Sequence, residues 1–215
     1  MKRVTLVLLI ALSTLVAVAQ TNRSTWAGSA PECSEHAGCP RHLFVDVHEF
    51  EPGEVTTEAV AEAHQKDLAV QAHYGVEFEK YWVDEQAGRV YCLSSAPDAE
   101  SVVDAHREAH GLLPTHVHTV SEGQAAALRG GNHLFLDIHR LGPGQVTAEA
   151  VAEAHEKDLA VQDAHGVNFI QYWVDENEGV VYCLSEAPDP EAVRETHQEA
   201  HGLLPDHILE VTQGE

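Results

Sequence analysis

His42-Leu43-Phe44-Val45-Asp46-Val47-His48 returns, 91 residues further on, as His133-Leu134-Phe135-Leu136-Asp137-Ile138-His139. From this stretch the identity runs outward in both directions. Residues 42–123 align with 133–214 without a gap, and about 52 of the 82 aligned pairs are identical, which marks an internal duplication. The repeat is too long for a solenoid and has the size of a small domain. The joint, residues 124–132, is short and ends in Gly130-Gly131-Asn132, so the two copies are expected to pack on each other as a covalent pseudo-dimer.

Within one copy the opening stretch alternates as a strand does. Pro52-Gly53 breaks it, Thr56 or Thr57 starts a helix with Glu58 in its first turn, and Gly75 stops that helix. Val76–Asp84 and Arg89–Ser94 read as a hairpin about Gln86-Ala87-Gly88, Asp98 caps a second helix that ends by Gly111, and His116–Val120 closes the copy. The order βαββαβ in some 80 residues predicts an α+β fold, two ferredoxin-like repeats forming a dimeric α+β barrel within one chain. A sheet with helices on one face leaves the other bare, and the second copy is the expected cover. On the first strand Leu43, Val45 and Val47 share a face opposite to His42, Phe44, Asp46 and His48. The apolar set is expected under the helices. Asp46 and His48, with Asp137 and His139, are then expected to project between the two sheets.

The balance of 12 Lys and Arg against 35 Asp and Glu gives a net charge of -23, which excludes phosphate neutralisation and so a nucleic-acid partner. It equally disfavours an anionic lipid surface. The chain carries 16 histidines, which titrate near neutrality and ligate metals. Asp-x-His on one strand face sets a carboxylate and an imidazole close enough to share an ion. His106 and His110, and likewise His197 and His201, lie four apart on one helical face. That is metal-ligand spacing, although Arg107 and Gln198 stand where a zinc protease has its glutamate; the alternative is two histidines at a helix carboxyl end. His64 and Asp67, with His155 and Asp158, offer an imidazole and an orienting carboxylate or, more simply, a surface Lys66–Asp67 pair. Cys92 and Cys183 fall on equivalent hairpin strands near the same region. Tyr81-Trp82 and Tyr172-Trp173 read as core aromatics.

The amino terminus reads as a cleavable signal peptide, residues 1–19: Met1-Lys2-Arg3, an apolar run from Val4, and Ala17-Val18-Ala19 as the small-x-small cleavage pattern. Residues 20–41 read as a flexible segment. Cys33 and Cys39 within it suit a small disulfide loop in an exported protein, or a metal loop with His36. These features predict a secreted or periplasmic chain, free of the membrane after cleavage and monomeric.

Taken together, the Asp-x-His strand, His-x-x-Asp-Leu-Ala-Val, Tyr-Trp-Val-Asp-Glu, Tyr-Cys-Leu-Ser, Ala-Pro-Asp and His-x-Glu-Ala-His-Gly-Leu are similar to a family of small bacterial nickel-binding proteins first catalogued as a domain of unknown function. The resemblance spans both repeats. It implies single ferredoxin-like units that pair, nickel held by histidine and carboxylate side chains, and no established enzymatic activity. Carried over residue by residue, it points to Asp46, His48, His106 and His110, to His64, Asp67 and Cys92 beside them, and to Asp137, His139, His155, Asp158, Cys183, His197 and His201 in the second copy. The donor types suit nickel, zinc or copper, and protons compete for imidazole, so release of metal below about pH 6 is expected. The rival expectation is an oxygenase or haem-handling protein with a pocket between the sheets; a third is a passive acidic surface that buffers metal loosely.

Overall fold

The computed structural model describes residues 40–215. The expected signal peptide and the Cys33–Cys39 segment lie outside these residues. The first repeat runs β1 (His42–Glu49), α1 (Thr57–Tyr74), β2 (Glu77–Asp84), β3 (Arg89–Ala96), α2 (Ala99–Ala109) and β4 (His116–Glu122). The second runs β5 (His133–Arg140), α3 (Ala148–Val161), β6 (Asn168–Asp175), β7 (Val180–Ala187), α4 (Pro190–Ala200), β8 (His207–Glu210) and β9 (Thr212–Gly214). The βαββαβ order holds in both copies.

Local chemistry sets the helix limits. The Thr56 hydroxyl accepts from the Ala59 N–H, and Gly75 takes φ 66° to end α1, a conformation that costs glycine little. The Asp98 carboxylate accepts from the Ser101 N–H at the start of α2, and Thr147 and Asp189 do the same for α3 and α4.

All strand pairs are antiparallel, with β1 between β3 and β4 and β5 between β7 and β8. The two sheets join at their edges. The end of β4 pairs with β6 (Ser121 opposite Val174), and β9 pairs with β2 (Thr212 opposite Val83). Each repeat therefore lends the tail of its last strand to the hairpin of the other, so the described strands close into one barrel. Gly123 and Gly214 sit where these tails cross Tyr172 and Tyr81; a Cβ there would fall 1.8 Å and 2.1 Å from the ring atoms, so only glycine allows the crossing.

The barrel interior is an apolar layer shared by both repeats: Val45, Val47, Tyr91 and Leu93 meet Leu136, Ile138, Tyr182 and Leu184. Trp82 and Trp173 touch across the pseudo-dyad with ring centroids 5.0 Å apart, and Tyr91 and Tyr182 at 5.8 Å. This corrects the expected facing of β1. Val45 and Val47 point into the barrel, while Phe44, Asp46 and His48 lie beneath the helices. The reason is pairing chemistry. The inter-sheet layer brings two strand faces together with few polar partners, so it must be apolar. The inner faces of α1 and α2 present Val102 and Ala105 but also Asp67 and His106, which can satisfy polar groups on the strand.

Candidate metal centre

In the first repeat β1, β3, α1 and α2 converge on one buried cluster. Asp46 is fully buried (0% exposed) and stands opposite Cys92 in the β1–β3 register. His48 Nε2 donates to Asp46 Oδ2 at 3.0 Å, and His106 Nε2 donates to the same oxygen at 3.2 Å. The other ring nitrogen of His106 donates to Asp67 Oδ1 at 3.0 Å. His110 Nε2 lies 3.2 Å from that same Asp67 oxygen. The sulfur and oxygen donors of Asp46, His48 and Cys92 form one group with the ring nitrogens, and Asp67, His106 and His110 form a second; within each group the ligating atoms lie within 4.8 Å of one another. His106 links the two.

Proton positions follow from the partners. His106 faces a carboxylate from each nitrogen, so both nitrogens carry hydrogen and the ring is an imidazolium. Burial opposes that charge, but Asp46 and Asp67 outweigh it and push the His106 pKa up to about 10. Burial likewise opposes the Asp46 charge, but His106 and His48 hold its carboxyl far below the ordinary carboxylate range. His110 Nδ1 accepts from the Leu112 N–H at 3.1 Å, so the ring's hydrogen is on Nε2, directed at Asp67. The Cys92 thiol is pushed well up by burial and then by the Asp46 and Asp67 charges.

The second repeat reproduces the arrangement. His139 Nε2 donates to Asp137 Oδ1 at 3.1 Å, His197 Nδ1 to Asp158 Oδ1 at 3.0 Å, and Leu203 N–H to His201 Nδ1 at 3.1 Å. His197 Nε2 stands 3.5 Å from Asp137. Despite burial, His197 and His139 lower Asp137 to about 2, and the carboxylates raise His197 to about 10. Asp137, His139 and Cys183 form one group and Asp158, His197 and His201 the other.

The structure thus brings together the strand pair, the helix pair, the cysteine and Asp67 in each copy. It does so between sheet and helices, not between the sheets. Asp67 is 4% exposed and bonded to histidine, which corrects the alternative of a surface pair with Lys66. His64 and His155 stand beside the clusters: they are buried, their rings pack 5.0 Å and 4.8 Å from Tyr81 and Tyr172, and burial lowers their pKa. The inter-sheet pocket expected for an oxygenase or haem protein is taken up by the tryptophan and tyrosine pairs, and His48 and Cys92 face the other way. Sequence reading missed His118, whose Nδ1 donates to Asp175 across the repeats at 2.9 Å in a buried setting. Its signal was the mismatch of His118 with Leu209 at an inward position of a strand that keeps His116 and Val120 in both copies.

The donor set fits a divalent transition ion. Nitrogen, carboxylate oxygen and sulfur meet in a confined, buried place, and one carboxylate oxygen in each copy, Asp46 Oδ1 and Asp137 Oδ2, is buried without a hydrogen-bond partner. The protonated His106 between two carboxylates occupies the place that a cation's charge would fill.

The SCO4226-like nickel-responsive proteins match residues 44–120 and again residues 135–211. The chain belongs to the SCO4226-like family. SCO4226 from Streptomyces coelicolor A3(2) is 41% identical over 38% of this chain and 99% of its own, with a TM-score of 0.36; one copy of that protein corresponds to one repeat. A mutant chlorite dismutase from Candidatus Nitrospira defluvii is 9% identical, covers 81% of this chain and 91% of its own, and has a TM-score of 0.48. No curated protein matches the chain. Both repeats carry the same set of Asp, His and Cys residues.

Proposed function

We propose that this SCO4226-like chain is an exported nickel-binding protein in which each repeat takes nickel into the layer between its sheet and its helices. The observation that carries the reading is the convergence of Asp46, His48, Cys92, Asp67, His106 and His110, drawn from four elements, in both copies. Export is inferred from the signal-like residues 1–19 and nickel from the family; zinc or copper suits the same donors. The repeats already pair within one chain, and the monomer is the working unit.

Asp46 and Asp67 supply the negative charge, His48 and His106 the nitrogens, and Cys92 a thiol that a bound cation would deprotonate. A divalent ion there supplies the positive charge that His106 now carries. Uptake then displaces the His106 proton and, with it, the hydrogen bonds that join the two groups. Binding is accordingly proton-coupled and weakens as pH falls.

Calorimetric titration of nickel into chelator-treated chain tests this. Saturable binding of equal stoichiometry in the two repeats, with heats that change with the ionisation enthalpy of the buffer, is the expected result. Graded binding without saturation, unaffected by His48→Ala and His106→Ala in folded protein, would support a diffuse acidic buffer instead. Binding that does not change between pH 7.5 and 5 would count against histidine ligation.

A further inference from the structure

At one end of the barrel the first repeat places two imidazoles that belong to neither buried cluster. In the β1–β4 register His116 stands opposite Val47 and His118 opposite Val45, so both rings take the barrel side of β4. Their centroids are 5.9 Å apart. They line a cavity of about 190 Å³, open to solvent, whose other walls come from the second repeat: Arg140, Gly142, Val180 and, from the β6–β7 turn, Glu178.

The bonding of His118 leaves a donor for that space. The residue is 4% exposed, and its Nδ1 donates to Asp175 at 2.9 Å. In the neutral ring this puts a lone pair on Nε2, and that nitrogen has no hydrogen-bond partner among the described residues. A carboxylate that holds one ring N–H orients the imidazole as a metal ligand and raises its basicity. His116 offers a second imidazole two residues along the same strand face, and Glu178 offers a carboxylate from the facing hairpin. Both side chains are exposed, so both can turn toward Nε2.

The pseudo-symmetric end of the barrel lacks this set. At the offset of 91, His207 matches His116, but Leu209 stands for His118 and Ala87 for Glu178. There Glu49 pairs with Arg89 at 3.3 Å instead. Two donors, one from each repeat, are thus present together at one end and absent together at the other. Arg140 is the one lining group that favours an anion. The Nε2 lone pair, Asp175 behind the ring and Glu178 across the cavity all repel one.

We propose that His116, His118 and Glu178 form a zinc site between the repeats, with Asp175 positioning His118. Three protein donors with solvent in the fourth place match the open tetrahedral coordination of zinc, whereas nickel and copper favour square-planar or tetragonal sets. Unlike the donors of the buried clusters, these stand apart in the metal-free chain, and the ion draws His116 and Glu178 in. The site shares no residue with the buried clusters and does not rest on the nickel reading.

Equilibrium dialysis of the full chain against zinc, with bound metal read by elemental analysis, tests this by difference. His118→Leu and Glu178→Ala introduce side chains that the other copy already carries at the matching positions. The parent should hold one more zinc ion per chain than His118→Leu, while nickel uptake by the two repeats is the same in both. Glu178→Ala should release the same additional ion, and it takes the place of His118→Leu should that variant fail to fold. Arg140→Gln removes the opposing charge and should tighten zinc there roughly fourfold, as for a unit charge nearby in water-like surroundings; an anion site would respond in the opposite sense. Equal zinc stoichiometry in parent and His118→Leu, retention of the additional ion in Glu178→Ala, or weaker zinc in Arg140→Gln would overturn the proposal.

Discussion

Two buried layers of this molecule rest on opposite faces of the same strands and obey opposite rules. On one side of β1, Val45 and Val47 enter a layer held by shape, where Trp82 meets Trp173 and Tyr91 meets Tyr182. On the other, Asp46 and His48 enter a layer held by charge, where His48, His106 and His110 each meet a carboxylate and Asp46 and Asp67 are held ionised. The apolar layer joins the repeats. The polar layer lies wholly within each repeat.

The largest expected effect separates the layers outright. Trp82→Ala should cost about 3–5 kcal/mol of folding stability, read by chemical denaturation, while nickel stoichiometry of the folded fraction stays unchanged. Loss of nickel with stability intact would mean that the inter-sheet layer, and not the polar one, houses the ion. Asp46→Asn works in the opposite sense. It should remove nickel from the first repeat alone, halving the stoichiometry and lowering affinity there at least ~100-fold, about 2.7 kcal/mol, and Asp137→Asn should do the same for the second.

The pH dependence sharpens the contrast further. The pKa of His106 is raised from 6.5 to about 10 in the fold, so its contribution to metal-free stability is full below pH 6.5 and fades as pH rises through 10. Asp46 is lowered from 3.8, so its contribution is present above that value and is lost as pH falls through its folded pKa. Thermal melts of chelated protein should therefore peak between about pH 4 and 6.5, and the added stabilisation by nickel should grow from pH 6 to 8 as the falling proton concentration eases competition for the imidazoles. Asp46→Asn with Asp137→Asn should flatten that profile; a profile unchanged by both substitutions would deny the charged layer its role.

The smallest effect concerns the point where the layers' symmetry fails. His118 bonds Asp175 between the repeats, whereas Leu209 occupies the equivalent place in the second copy. Asp175 also accepts from the Asn177 and Glu178 N–H groups, so His118→Leu should cost only about 1 kcal/mol or less and leave nickel affinity as it was. A loss much above that would make the pair a principal clasp between the halves.

Much of this was legible in the chain. The repeat offset, the caps at Thr56 and Asp98, the stop at Gly75 and the grouping of Asp46 with His48 all follow from local chemistry. The facing of β1 did not. Alternation tells which residues share a face, but Phe44 and Val45 are both buried, at 2% and 1% exposure, so neither side reads as the solvent side. Asp67 was obscured by the alanines that surround it on every side of α1, from Ala59 to Ala69, which leave the helix without a clear apolar stripe. The barrel closure through β9 was obscured because β8 and β9 are a single run of chain broken only at Val211, each half pairing with a different repeat.

Anomalous diffraction at the nickel absorption edge, on nickel-loaded crystals of the tag-free chain, reaches the central claim most directly. The account predicts peaks in the layer between sheet and helices, within bonding distance of Asp46 and His106 in one repeat and of Asp137 and His197 in the other. Peaks confined to the outer surface, or lying between the two sheets beside Trp82 and Trp173, would contradict it.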